Sequence, residues 1–122
     1  MAQQKYSAEQ LRRIEELHEF RHTVDVVKHL VAELEANRAA ATRIVQQLCE
    51  RIAKETSQLR QRALSANIGT IGDVAGAMSV MAGRGGGINM KIRGLTEGVT
   101  SLYLQLDQAL HHAMTPEPKK PA

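Results

Sequence analysis

The sequence predicts an all-α protein: one long amphipathic helix at about 8–65, with two shorter helices at about 70–83 and 88–113 folding back along it. Three observations predict this fold. No Gly or Pro occurs between Met1 and Ile68. Apolar residues recur in sevens through most of that stretch, as in a helix that packs against other helices. Two glycine-rich breaks, at about 67–72 and 83–87, then divide the rest of the chain.

The composition of the 122 residues fits a single helical domain at 1–114, followed by a Pro-rich tail at 115–122 that we expect to be disordered. Aromatic residues make up only 2%, which lacks the stacking platforms of many single-strand nucleic-acid grooves, and the net charge of +3 is mild. We therefore expect no nucleic-acid partner. The single cysteine, Cys49, excludes an intrachain disulfide and four-cysteine zinc sites.

The N-terminal sequence lacks the apolar core of a signal peptide, and no run of about twenty apolar residues is present. These features predict a cytoplasmic protein with no membrane partner.

The long helix has a clear start. Ser7 is a favourable N-cap, Gln10 can complete a capping box, and Glu9 places negative charge in the first turn, where the helix dipole favours it.

From Leu17 onward, two heptad positions are mostly apolar and form what we call the heptad seam. Its members are Leu17, Phe20, Val24, Val27, Val31, Leu34, Leu48 and Ile52. We expect the heptad seam to be the helix contact surface and to drive homo-oligomer formation, because the helix is longer than its two covering helices. Glu55 and Arg62 also fall at seam positions, where buried charge is unfavourable, so the seam should open there.

Asn37 is the weak point of the long helix. The run LEANRAAA could hold a turn, and a hairpin at 36–39 is the alternative to a continuous helix. Continuity is favoured because the heptad phase is the same on both sides and alanine is the best helix former.

The second helix carries what we call the small-residue stripe: Gly69, Gly72, Gly76, Ser79 and Gly83. Small residues on one face let another helix approach closely, so this stripe predicts tight helix packing. In an alternative interpretation, the Gly69–Ile88 segment inserts into a membrane.

The run GRGGG at 83–87 predicts a flexible loop, after which an apolar period from Ile88 to Leu110 predicts the last helix. The longer run GRGGGINMK invites a phosphate-loop interpretation with Arg84 and Lys91 as anion partners. It lacks the Gly-Lys-Ser/Thr motif and a preceding strand, so a hinge is favoured.

A polar stripe runs along the long helix opposite the heptad seam: Glu15, His18, His22, Asp25, His29 and Glu33. Histidines four residues apart can share a divalent metal, so His18, His22 and His29 are candidate metal ligands. The competing interpretation is a solvated helix face, because the stripe points away from the apolar seam.

The run His18-Glu19-Phe20-Arg21 resembles the phospho-acceptor box of sensor histidine kinases. The resemblance covers about ten residues and implies that His18 would accept phosphate, with Glu19 as the neighbouring acid or base. The chain departs from that family at His22-Thr23, where Thr-Pro is usual, and it has no glycine-rich nucleotide boxes.

Together these features predict a non-enzymatic helical assembly or adaptor protein without catalytic residues or cofactor. It would act by self-association through the heptad seam and by docking of a partner protein helix on the small-residue stripe. A histidine-based metal or phosphotransfer module and a membrane-active helical protein are the two alternatives.

Overall fold

The computed structural model describes residues 6–84 and 86–115. These residues form four helices and no strand: α1 (Ala8–Ala36), α2 (Thr42–Ser65), α3 (Gly69–Gly83) and α4 (Ile88–Met114). The all-α prediction is confirmed, and the two C-terminal helices lie within a residue of their expected bounds. The tail predicted at 115–122 lies almost entirely outside the described residues.

The helices form a bundle in which each packs on two neighbours, in the ring order α1, α2, α3, α4 and back to α1. The diagonal pairs, α1 with α3 and α2 with α4, are too far apart for close backbone contact over the described residues. Short loops at 37–41, 66–68 and 84–87 connect the helices, so successive helices run antiparallel. The bundle is uneven, because α3 is only about 22 Å long and α1 is about 43 Å.

Hydrogen bonds between helices fix this antiparallel order. The Gln10 side chain of α1 donates to Ala113 O and to Thr115 O at the end of α4, at 3.2 and 3.0 Å. Arg13 Nη1 donates to Ala66 O after α2, at 2.5 Å. The first turn of α1 therefore joins the ends of two other helices. The predicted capping box is present, with Ser7 and Gln10 bonding to each other's backbone N–H.

The continuous helix predicted over 8–65 is wrong: α1 ends at Ala36 and α2 begins at Thr42. The hairpin alternative is the correct one. Asn37 ends α1 by donating its side-chain amide to Glu33 O at 2.7 Å, while its backbone N–H also bonds Glu33 O. The turn uses neither a glycine nor a positive φ, since Asn37 has a φ of −109°. No glycine signal therefore marked it.

All eight heptad-seam side chains are buried and belong to one core shared by the four helices. Within α2 one of the two seam positions moves by one residue: Thr56 and Ala63 are buried, whereas Glu55 is half-buried and Arg62 exposed. The helix keeps the alternating three- and four-residue spacing of a heptad in a register of its own, with Cys49, Ile52, Thr56, Leu59 and Ala63 buried. The Thr56 hydroxyl is satisfied by donating to Ile52 O at 2.7 Å.

The α3–α4 contact depends on two glycines that the sequence analysis did not single out. A Cβ on Gly98 would lie 2.6 Å from Met78 Cγ, and one on Gly94 would lie 2.8 Å from Met81 Cε. Two methionines of α3 therefore occupy the space that side chains at these α4 positions would fill. A side chain at either position would require the methionine to move, and Met78 has the less room because it is buried.

The α1–α4 contact carries a polar cluster at its surface. The Tyr103 hydroxyl donates to Asp25, and Arg21 forms an ion pair with Asp107. Burial, together with the hydrogen bond to Asp25, raises the pKa of Tyr103 to about 12. Arg21 and Lys28 also lie over the Tyr103 ring, at 5.8 and 5.9 Å from its centroid. This cluster aligns the middle of α1 with the second half of α4.

Candidate functional site

A surface cleft of about 910 Å³ lies beside α3, and we call it the α3 cleft. Three parts of the chain form it: the outer face of α3, the second half of α2, and the loop and first turn that begin α4. Its lining combines small, apolar and basic residues, which are Ser57, Arg60, Asp73, Gly76, Ala77, Ser79, Val80, Met81, Arg84, Gly86, Gly87, Met90 and Lys91.

Small residues line the part of the α3 cleft closest to the helix backbone. A Cβ on Gly76 would lie 2.9 Å from Arg60 Cδ, so the Arg60 stem crosses α3 at this glycine. Ser79 Oγ donates to Ala53 O of α2 at 3.2 Å. These two residues pack against α2, whereas the neighbouring Ala77 is exposed, so at Ala77 a second helix has room to approach the α3 backbone.

Exposed apolar side chains border the α3 cleft. Val80 is 55% exposed and Met90 is 80% exposed, while Met81 is half-buried between them and the core. Exposed apolar residues scattered singly are common, but here two large ones border a concave site. Methionine adapts its shape to varied partners, which suits a binding surface.

The charge of the α3 cleft is mainly positive, with Arg60, Arg84 and Lys91 against the single carboxylate of Asp73. Lys91 Nζ donates to Arg84 O at 2.5 Å and to Ala82 O at 3.4 Å, so this ammonium caps the end of α3. Across residues 6–84 and 86–115, Arg60 and Arg84 take part in neither of the two ion pairs. Both arginines are exposed.

The predicted small-residue stripe divides between two roles. Gly72 is buried against the Leu64 side chain, and Gly76 and Ser79 contact α2, so these three pack within the chain. Gly69 and Gly83 have open space where a Cβ would be. Gly76 and Ser79 also line the α3 cleft, so part of the stripe contributes to it.

The heptad seam, on which we expected a second copy to pack, is covered by helices of the same chain, and each of its side chains is at most 7% exposed. Formation of a homo-oligomer stays a prediction. Any contact between copies of this folded bundle would use another surface.

The histidines of the polar stripe face solvent, since His18, His22 and His29 are all exposed. His18 and His22 border a shallow groove of about 560 Å³ between α1 and α2, which Glu55 and Arg62 also line. Among the described residues, no three His, Cys, Asp or Glu side chains converge in a geometry that could hold a metal ion. Asp25, from the same stripe, bonds the Tyr103 hydroxyl instead.

Sequence reasoning missed Met90 as a member of a site, and it did not bring Arg60 together with the small-residue stripe. Arg60 and Met90 come together only because α2 and α4 flank α3. The one available signal was that Met90 breaks the polar face of its helix.

No helix among the described residues is both long enough and apolar enough to cross a membrane. Comparison of the chain with protein-family models, with curated proteins and with solved structures found no match. The geometry of the α3 cleft is therefore the main basis for a functional proposal.

Proposed function

We propose that this chain is a non-enzymatic helical assembly or adaptor protein whose docking surface is the α3 cleft. The observation that carries the proposal is the concave surface of about 910 Å³ that joins the exposed apolar side chains of Val80 and Met90 to the small residues of α3. Protein interfaces combine apolar contact at their centre with a polar rim. The α3 cleft has both.

The bundle itself suits this role because its core is complete without the cleft. All of the heptad seam and the buried face of α3 are occupied within the chain. A partner in the α3 cleft would therefore add contacts without displacing an element of the fold. Self-association and docking of another protein's helix would both use this one surface, since the seam is internal.

Site-specific photo-crosslinking tests the proposal. A photo-reactive amino acid at Val80 is compared in cells with the same group at Leu104, which is also 55% exposed but lies outside the cleft. We expect discrete products from position 80, either of twice the chain's mass or with another protein. Position 104 should give none of them. Identical products from both positions, or none from position 80, would contradict docking in the α3 cleft.

A further inference from the structure

We propose that the occupant of the α3 cleft is an acidic amphipathic helix of a partner protein, an inference that rests on the proposed function and specifies its partner. The first argument is charge. The cleft presents three cationic side chains and one carboxylate, and the guanidinium groups of Arg60 and Arg84 have no ion-pair partner in the described chain. Carboxylates on the occupant would complement them.

The second argument is shape. The helix α3 is about 22 Å long, and its exposed face carries the small residue Ala77 near the middle. Helix axes approach to about 8–10 Å, and closest where small residues meet. A helix of about four turns lying along α3 would place apolar side chains against Val80 and Met90, in the helix-in-groove mode of recognition.

The positions of the two arginines suggest where the acidic residues of that helix would lie. Arg60 crosses α3 at Gly76, near the middle of the helix, whereas Arg84 follows the last residue of α3. Along α3, Val80 comes midway between positions 76 and 84, which are about 12 Å apart. An occupant with two carboxylate groups at about this separation and apolar residues between them fits this order. The ion pairs would mainly orient it, because exposed pairs contribute only about 0–1 kcal/mol each, and the apolar contacts would supply most of the affinity.

Charge also disfavours a second copy of this chain as the occupant. In a two-fold contact the same patch meets itself, so the cationic groups of both copies would come together with only one Asp73 from each to offset them. An acidic partner has no such conflict.

A binding experiment with defined peptides tests the inference. The probe is a fluorescent synthetic peptide of about sixteen residues, with leucines at helical i, i+3, i+4 and i+7 spacing flanked by glutamates. The matched control peptide has lysine at each glutamate. By fluorescence anisotropy we expect the acidic peptide to bind with a Kd of roughly tens of micromolar. The basic peptide should bind at least about tenfold more weakly, and added salt should weaken the acidic complex.

Variants of the protein locate the site. Arg84→Glu and Arg60→Glu should each weaken acidic-peptide binding by about three- to tenfold, and Val80→Asp should weaken it at least as much. Leu104→Asp, at an equally exposed apolar position outside the cleft, should leave it unchanged. Circular dichroism confirms that each variant is folded. The Arg60 stem packs over Gly76, so Arg60→Glu changes both charge and packing. Arg84→Glu changes the charge without disturbing that contact.

Four results would overturn the inference. Three are no binding of the acidic peptide, equal binding of the basic one, and equal loss in the Leu104 variant. The fourth is preferential binding to vesicles of anionic phospholipid over the acidic peptide, which would assign the surface to lipid. Crosslinks from position 80 without acidic-peptide binding would overturn the occupant's chemistry alone. Absence of those crosslinks would instead contradict the proposed function.

Discussion

At the scale of single residues, the packing of this bundle depends on glycines, which leave space for neighbouring side chains, as well as on buried apolar residues. Gly94 and Gly98 of α4 leave room for Met81 and Met78 of α3, and Gly76 leaves room for the stem of Arg60. These three glycines differ in what a methyl group would meet. At Gly98 it would meet the buried Met78, whereas at Gly76 it would meet the outer part of a long exposed arginine.

Replacement of Gly98 by alanine should destabilise the fold. The added Cβ would lie 2.6 Å from Met78 Cγ, and such overpacking costs about 1–3 kcal/mol, against a helix-propensity gain of about 1 kcal/mol. We expect a net loss of up to about 2 kcal/mol by urea denaturation. Gly69→Ala is the matched control, because nothing lies within 4 Å of a Cβ there. Equal stability of the two variants would contradict the packing described here.

Tyr103 should make stability depend on pH in the alkaline range. Burial and the bond to Asp25 raise its pKa to about 12, above the value of about 10 in an unfolded chain. The neutral phenol is therefore favoured in the fold. Its stabilising contribution is complete below about pH 10 and is lost as the pH rises toward 12.

Ultraviolet titration of a Tyr6→Phe variant measures this directly, because Tyr103 is then the only tyrosine of the chain. We expect a midpoint near 12 and a lower one after the further change Asp25→Ala. A midpoint at the ordinary value, unmoved by that change, would show that the Tyr103–Asp25 contact is not formed in solution.

At the scale of helices, sequence patterns predicted α3 and α4 well and missed the break between α1 and α2. The glycines around 67–72 and 83–87 are strong signals, and the structure has its loops there. The turn at Asn37 gave no such signal, because side-chain and backbone hydrogen bonds of an asparagine end the helix without glycine geometry. The shared heptad phase was misleading, since two antiparallel helices can each carry a stripe in the same phase.

One clue to the break was present in the sequence. Glu55 and Arg62 sat at positions that a continuous seam would bury, while Thr56 and Ala63 came one residue later. The structure buries the later pair. The buried residues of α2 therefore keep heptad spacing in a register different from that of α1, as expected of a separate helix.

Gln10 links two helix ends, so its replacement should have effects beyond its own helix. Ser7→Ala removes an N-cap, which costs about 0.5–2 kcal/mol. Gln10→Ala removes its half of the capping box and also the bonds to Ala113 O and Thr115 O. We expect hydrogen exchange at the end of α4 to accelerate in the Gln10 variant and to change little in the Ser7 variant. The same exchange at α4 in both variants would contradict a specific link.

At the scale of the whole molecule, the α3 cleft could not be read from the sequence. Gly76 and Ser79 were recognised as a small-residue stripe, and Arg84 and Lys91 as a basic pair beside a glycine loop. Arg60 and Met90 join them only because the ring order places α2 and the start of α4 on either side of α3. All of the lining residues lie between Ser57 and Lys91, so the turns that join α2 to α3 and α3 to α4 form the cleft. The α1–α2 hairpin has a different effect: it buries the heptad seam within the chain, so the seam is not a docking surface.

The central claim is therefore that residues 8–65 close into a hairpin within one chain and bury the heptad seam there. In the bundle, Arg13 Nη1 lies 2.5 Å from Ala66 O, whereas a continuous helix would separate these residues by about 80 Å.

The most direct test is an electron–electron double-resonance distance between spin labels at the exposed positions 12 and 67, with Cys49 replaced by alanine. We expect a distance within about 25 Å, since neighbouring helix axes lie about 8–10 Å apart, and we expect it to persist when labelled chains are diluted with unlabelled ones. A distance near 80 Å, or a short distance that disappears on dilution, would contradict the single-chain bundle.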